Sequence, residues 1–186
     1  MIAKEMTRKD IEAKISKMGD YVKIDYLSSC LKNHIDFDTR KYVFQKLSEL
    51  YISKGMFADA GKMILSSAEI NTTIPNKIQD YLKATEFFIK GSDNESTLIS
   101  MGRALAIASE SQKTEIKNKI KSTYLTYADF LVQKNKRRQA ITAYENLLDL
   151  GLNENEKKDI ESKLLKYYQD LGLMKEYYLL KRKTNK

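Results

Sequence analysis

Few residues in this chain are equipped for chemistry. Histidine and cysteine each occur once, as His34 and Cys30. A nucleophile needs a base beside it, a catalytic metal needs a cluster of ligands, and phosphate chemistry needs a glycine-rich cradle. None of these patterns occurs in the sequence. His34 precedes Ile35 and Asp36 at an expected helix end, where an imidazole reads as a partner for the helix dipole before it reads as a base or ligand. Cys30 lies in an apolar stretch and reads as a small buried filler. Standing alone, it excludes an internal disulfide. Carboxylate pairs such as Glu154 and Glu156 belong to a helix start. The sequence therefore points to no catalytic residue, no metal site and no cofactor, and the expected function is not enzymatic.

The other chemistry on offer is anion binding. Residues 113–138 carry Lys113, Lys117, Lys119, Lys121, Lys134, Lys136, Arg137 and Arg138 against Glu115 and Asp129, a local excess of +6 within a chain of net charge +8. Its centre, Lys134, Lys136, Arg137 and Arg138, falls at the tip of an expected helical hairpin and the start of the next helix. Positive side chains there oppose the macrodipole, while backbone donors and two guanidinium groups suit a phosphate or an acidic peptide. The plainer reading is a solvated lysine-rich loop. Of the 33 basic residues 27 are Lys, so composition alone accounts for much of the charge. Base readout would require aromatics interleaved with Arg on an exposed face, whereas the twelve Tyr fall mostly on apolar stripes. Nucleic acid is thus the alternative partner, and the run Lys181 to Lys186 reads as a frayed end.

These residues need elements to position them. The chain has 186 residues, 42% hydrophobic and 31% charged, with seven Gly, one Pro and no Trp. Scarce chain breakers favour long helices over a strand-rich fold. No apolar run approaches the roughly 18 residues of a membrane span, and the N-terminal residues lack an apolar signal core, so the expected location is cytoplasmic. Breaks recur at Gly19, Gly55, Gly91, Asn135 and Gly172, all residue types that tolerate positive φ where a helix ends. The spacing is 36 residues from Gly19 to Gly55 and again to Gly91, 44 to Asn135 and 37 to Gly172, the period of paired-helix repeats. Five hairpins predict helices over 7–18 and 20–34, 38–54 and 56–70, 75–90 and 94–109, 112–134 and 136–150, and 153–171 and 173–182. Thr7 before Asp10, Asp38, and Asn153 before Glu156 are the expected N-terminal caps. Apolar residues recur at helical spacing, as in Val43, Phe44, Leu47, Leu50 and Tyr51.

The second and fourth hairpins resemble the tetratricopeptide repeat, a packing code of aromatic, Leu, small residue and Tyr, followed by Ala and an aromatic. The second reads Phe44, Leu47, Ser48, Tyr51, Ala60 and Ile64, and the fourth reads Tyr124, Tyr127, Ala128, Leu131, Ala140 and Tyr144. The other three depart from it, with Ile24 and Tyr177 at the Ala position of the first and fifth. The stretch Gly55 to Lys62 is similar in style both to this repeat and to the helical-pair solenoid of the membrane-fusion adaptor SNAP, so an adaptor at membranes is a further alternative function. The resemblance implies an all-α fold, a right-handed α-solenoid of about five antiparallel helical hairpins. A single domain would cover 1–182, with a basic tail at 183–186. It further implies that the first helix of each pair lines a concave groove holding a peptide or helix of a protein partner. By helical spacing that face presents Tyr42, Gln45 and Glu49, then Tyr81, Thr85 and Phe88, then Leu125, Asp129 and Val132, unless the aromatics are ordinary core. The Lys and Asn pair with which one subclass grips a C-terminal carboxylate is absent: Lys9 is followed by Ala13, and Gln45 by Glu49. The double tyrosines at 167–168 and 177–178 mark the last hairpin as a candidate surface for a homodimer.

Overall fold

The computed structural model describes residues 7–184, which hold ten α-helices and no strand. They fall into two compact units that divide between Lys113 and Thr114. The first contains α1 (Arg8–Ile15), α2 (Asp20–Cys30), α3 (Phe37–Ser53), α4 (Phe57–Ile70), α5 (Ile74–Lys90) and α6 (Asn94–Ile107). The boundary falls early in α7 (Glu110–Gln133), and the second unit continues with α8 (Arg137–Leu148), α9 (Glu154–Asp170) and α10 (Met174–Thr184). All ten helices anticipated from the breaks are present. Lys183 and Thr184, assigned above to a tail, continue α10, while Asn185 and Lys186 lie outside the described residues.

Local chemistry explains several helix starts. Thr7 accepts a hydrogen bond from the Asp10 backbone N–H, and at α9 Asn153 and Glu156 cap each other's backbone at 2.9 Å in both directions. Such caps satisfy donors left over at a helix start and contribute about 1 kcal/mol each. At α3 the cap is Asp36, not Asp38: its carboxylate accepts from the Thr39 backbone N–H at 2.8 Å and from the Thr39 hydroxyl at 2.6 Å. Ile35, buried just before it, fixes where the chain enters the helix. The same burial explains why α2 stops at Cys30 instead of running to residue 34. The breaks also need correction. Gly55, Asn135 and Gly172 have positive φ, but Gly19 and Gly91 do not, and after α5 the left-handed residue is Ser92.

Gly91 is required for a different reason. A Cβ there would lie 2.7 Å from the backbone nitrogen of Ala58, so only glycine lets the end of α5 meet the start of α4. Gly61 does the same in mid-helix, where a Cβ would lie 2.7 Å from the ring of the wholly buried Phe88. Ala60, Ile64, Ala84, Phe87 and Phe88 form the apolar contact that these glycines permit. A second cluster, Ile11, Tyr26, Leu27, Cys30, Ile35, Tyr42, Val43 and Leu47, joins α1, α2 and α3. Across α5 and α6 the buried hydroxyls of Thr85 and Ser100 are 2.7 Å apart, so each has a partner in a site that excludes water.

The second unit is held differently. Tyr124, Ala128, Ala140, Tyr144, Leu147, Ile160, Leu164 and Tyr168 contribute to its interior, and Tyr144 and Tyr168 carry their hydroxyls to carboxylates on the preceding helix. Tyr144 donates to Asp129 at 2.6 Å and Tyr168 to Glu145 at 2.7 Å, while the rings of Tyr144 and Tyr167 stack at 6.0 Å. Burial first, and then the facing carboxylate, push both phenols well above the usual tyrosine range. α10 leans on α9 without a single fully buried residue of its own.

Candidate functional site

On α3, the residues at Lys41, Gln45, Ser48 and Ile52 follow one another at four, three and four positions, so they share one face, with Glu49 beside them. α5 brings Asp80 and Lys83 opposite, and α4 places Ile64 and Ser67 beneath. Together with Phe44 they line an open groove of 240 Å³ in the first unit. Phe44, Ile52 and Ile64 make its apolar part; the rest is polar and carries both signs of charge.

The groove side chains are held in place by hydrogen bonds. Lys41 Nζ donates to Asn71 Oδ1 at 2.5 Å, and Asn71 Nδ2 donates to Asp80 Oδ2 at 2.7 Å. The same Asp80 oxygen accepts from Ser67 Oγ at 3.2 Å. Asn71 is itself buried, so this chain ties α3 to the start of α5 through the α4–α5 turn. Glu49 accepts from Lys46 at 2.7 Å and from Gln45 at 3.0 Å. Partial burial pushes its carboxyl up, but the hydrogen bonds from Lys46 and Gln45 and the charges of Lys46 and Lys83 outweigh that and leave it below the usual range. The arrangement presents fixed donors, fixed acceptors and an apolar strip, which is what a peptide or helix surface needs.

No family model matches the chain, and no curated protein matches it in sequence. The reading of this groove therefore rests on its own geometry.

Of the residues expected on the concave face, Gln45 and Glu49 line the groove. Tyr42, Tyr81, Thr85 and Phe88 are buried: Tyr42 packs in the α1–α3 cluster, with the Arg8 guanidinium 4.7 Å from its ring centroid, and Tyr81 donates to Glu69 at 3.0 Å. On α5 the open face belongs instead to Asp80 and Lys83, three apart and next to the apolar stripe. Their polarity at that spacing is the sequence signal for the groove; the aromatics mark the core. Leu125 and Asp129 belong to the second unit, where Leu125 and Val132 are half-buried and Asp129 receives the Tyr144 hydroxyl.

The basic patch lies in the second unit. Lys134, Lys136, Arg137 and Arg138 are all exposed, and Asn135 to Gln139 border a broad depression of 580 Å³ with Leu171. Asn135 turns the chain with φ 57°, and Lys136, the residue before α8, gives it no side-chain cap. Arg137 approaches Asp170 at 3.9 Å, and the Lys134 ammonium stands 5.8 Å from the ring of Phe130. Elsewhere in the basic run the charges are partly matched: Lys113 pairs with Glu110 at 2.7 Å and Lys121 with Glu156 at 3.2 Å.

Cys30 is wholly buried, whereas His34 is exposed within the α2–α3 connection, past the end of α2 at Cys30 and not at a helix end as expected. Among the described residues no group of three or more His, Cys, Asp or Glu side chains gathers as a metal-ligand set. No described helix is long and apolar enough to cross a membrane.

Proposed function

We propose that the chain is a non-enzymatic interaction scaffold of the tetratricopeptide kind, a right-handed α-solenoid whose groove on α3 and α5 holds a peptide or helix of a protein partner in the cytoplasm. The observation that carries this reading is the groove itself. It is open and part apolar, and Lys41, Gln45, Glu49, Ser67 and Asp80 are tied in place by hydrogen bonds. Neighbouring first helices within each unit also approach one another, Arg8 of α1 over Tyr42 of α3 and Lys121 of α7 on Glu156 of α9, as stacked hairpins require. The test is a photoreactive benzoylphenylalanine at the exposed groove position Gln45, with the same group at exposed Glu115 as control. A single protein adduct at position 45, surviving nuclease and moderate salt and missing at position 115, is the expected result. Equal adducts at both positions, or none, would sink the groove reading.

The basic patch supports a second reading, a nucleic-acid or acidic-surface binder, because Lys136 and Arg138 make no ion pair among the described residues and border the 580 Å³ depression. Arg137→Glu with Arg138→Glu, in a pull-down with and without nuclease, separates the two. Retention that vanishes with the double variant or with nuclease moves the function to this patch.

A further inference from the structure

The face of α10 turned away from α9 is neither a core face nor an ordinary polar surface. Tyr177 and Leu180 are half-buried on the inner side of α10, and Leu173, half-buried as well, immediately precedes it. On the opposite side Met174 is 42% exposed, Tyr178 55% and Leu179 51%, three large apolar groups on an eleven-residue helix. Tyr177 meets Tyr178 edge-on at 5.4 Å and also contacts Lys181 through its hydroxyl at 3.3 Å, so the exposed ring is braced from the inner face.

At about 100° per residue, Met174 and Tyr178 form one apolar lip and Leu179 the other, and between them runs a stripe of Lys175 and Arg182. The helix carries Lys175, Lys181, Arg182 and Lys183 against Glu176 alone, an excess of three positive charges. We propose that this face docks an acidic amphipathic helix of a protein partner, whose carboxylates meet Lys175 and Arg182 and whose apolar side chains meet the two lips. Charge complementarity selects this occupant. A second copy would bring the same cationic stripe against itself, and the whole chain is already +8. A lipid surface would need a continuous apolar face to enter the acyl boundary, and here the centre of the face is occupied by two cations. The proposal is independent of the α3–α5 groove, since no residue is shared.

The experiment is a displayed library of amphipathic helices with a constant Leu stripe and randomised charged positions, selected on the immobilised full chain. Enriched peptides are then titrated by fluorescence anisotropy. The expected outcome is enrichment of Glu and Asp, with affinity falling about tenfold or more for Lys175→Glu with Arg182→Glu, and also for Tyr178→Ser with Leu179→Ser. A Gln45→Arg, Glu49→Lys variant of the groove should bind the same peptides unchanged. All substituted positions are at the surface, and unchanged circular dichroism confirms that each variant folds. Enrichment without acidic bias, binding insensitive to both α10 variants, or no binding would each overturn the proposal. So would α10-dependent adsorption to anionic phosphatidylserine vesicles in place of peptide binding, or a sizing-column dimer abolished by the α10 variants.

Discussion

The first unit joins α4 to α5 by close packing at Gly61 and Gly91 beside one tyrosine clasp, Tyr81 to Glu69, whereas the second joins α8 to its neighbours by two such clasps around more deeply buried phenols. At Gly61 and Gly91 the absence of a Cβ lets Phe88 and Ala58 come close, giving an apolar contact. Around Tyr144 and Tyr168 the helices are clasped by hydroxyl-to-carboxylate hydrogen bonds and by ion pairs such as Lys121 with Glu156. Two units built from similar helices therefore differ in how far each joint rests on close packing and how far on such clasps. The glycine-packed contact answers to volume, and the tyrosine clasps answer to pH.

The most damaging way to break the comparison is Phe88→Ala, which empties the site facing Gly61. A loss of about 3–5 kcal/mol is expected from a buried aromatic truncated to alanine, read as reduced hydrogen-exchange protection across α4 and α5. Gly61→Ala and Gly91→Ala add one carbon each where none fits and should cost about 1–3 kcal/mol. Gly102→Ala on α6 is the matched control: its Cβ meets open space, so the change should stabilise by up to about 1 kcal/mol through helix propensity. Destabilisation by all three alanines alike would remove the close-approach account.

Alkaline titration sharpens the other side. Because the folded-state phenols of Tyr144 and Tyr168 are raised, the unfolded chain ionises first. The stability they contribute is whole below about pH 10 and is lost as pH rises beyond it toward the folded-state values. Tyr144→Phe should cost about 1 kcal/mol at neutral pH and flatten the decline between pH 9 and 11 in urea unfolding followed on α7–α9 amides. An unchanged slope would show that the clasp does not control this unit. The smallest effect concerns the α9 cap. The backbone N–H of Asn153, and then Lys121, hold Glu156 below the usual carboxylate range, so its contribution is present at neutral pH and is lost as pH falls through its folded value. Glu156→Gln should then lower stability slightly relative to the parent at pH 7, with the difference shrinking as pH falls through the carboxylate range.

Much of the fold was legible because helices are local objects. The stripe Val43, Phe44, Leu47 and the breaks at Gly55, Asn135 and Gly172 involve residues within one or two turns of each other, so spacing alone reveals them. The candidate groove was legible only in part. Period identifies the apolar stripe of α5, but it does not say whether Tyr81, Thr85 and Phe88 face a cleft or another helix. They face other helices, and the cleft takes Asp80 and Lys83 from the next positions round. The aromatic content that made Tyr42 and Phe88 attractive as contact residues is also what makes them good core.

The sequence by itself determined the ten helices, their breaks, the caps at Thr7 and Asn153, the burial of Cys30 and the excess charge around Arg137 and Arg138. Each of these depends on neighbours along the chain or on composition. Only the tertiary structure decided that Asp36 caps α3, that Ser92 and not Gly91 turns left-handed, that Gly61 exists for Phe88, and that Asp129 serves Tyr144 and not a groove. In each case the deciding contact, or the burial of Ile35 that sets the chain's entry, joins elements whose approach no local spacing encodes.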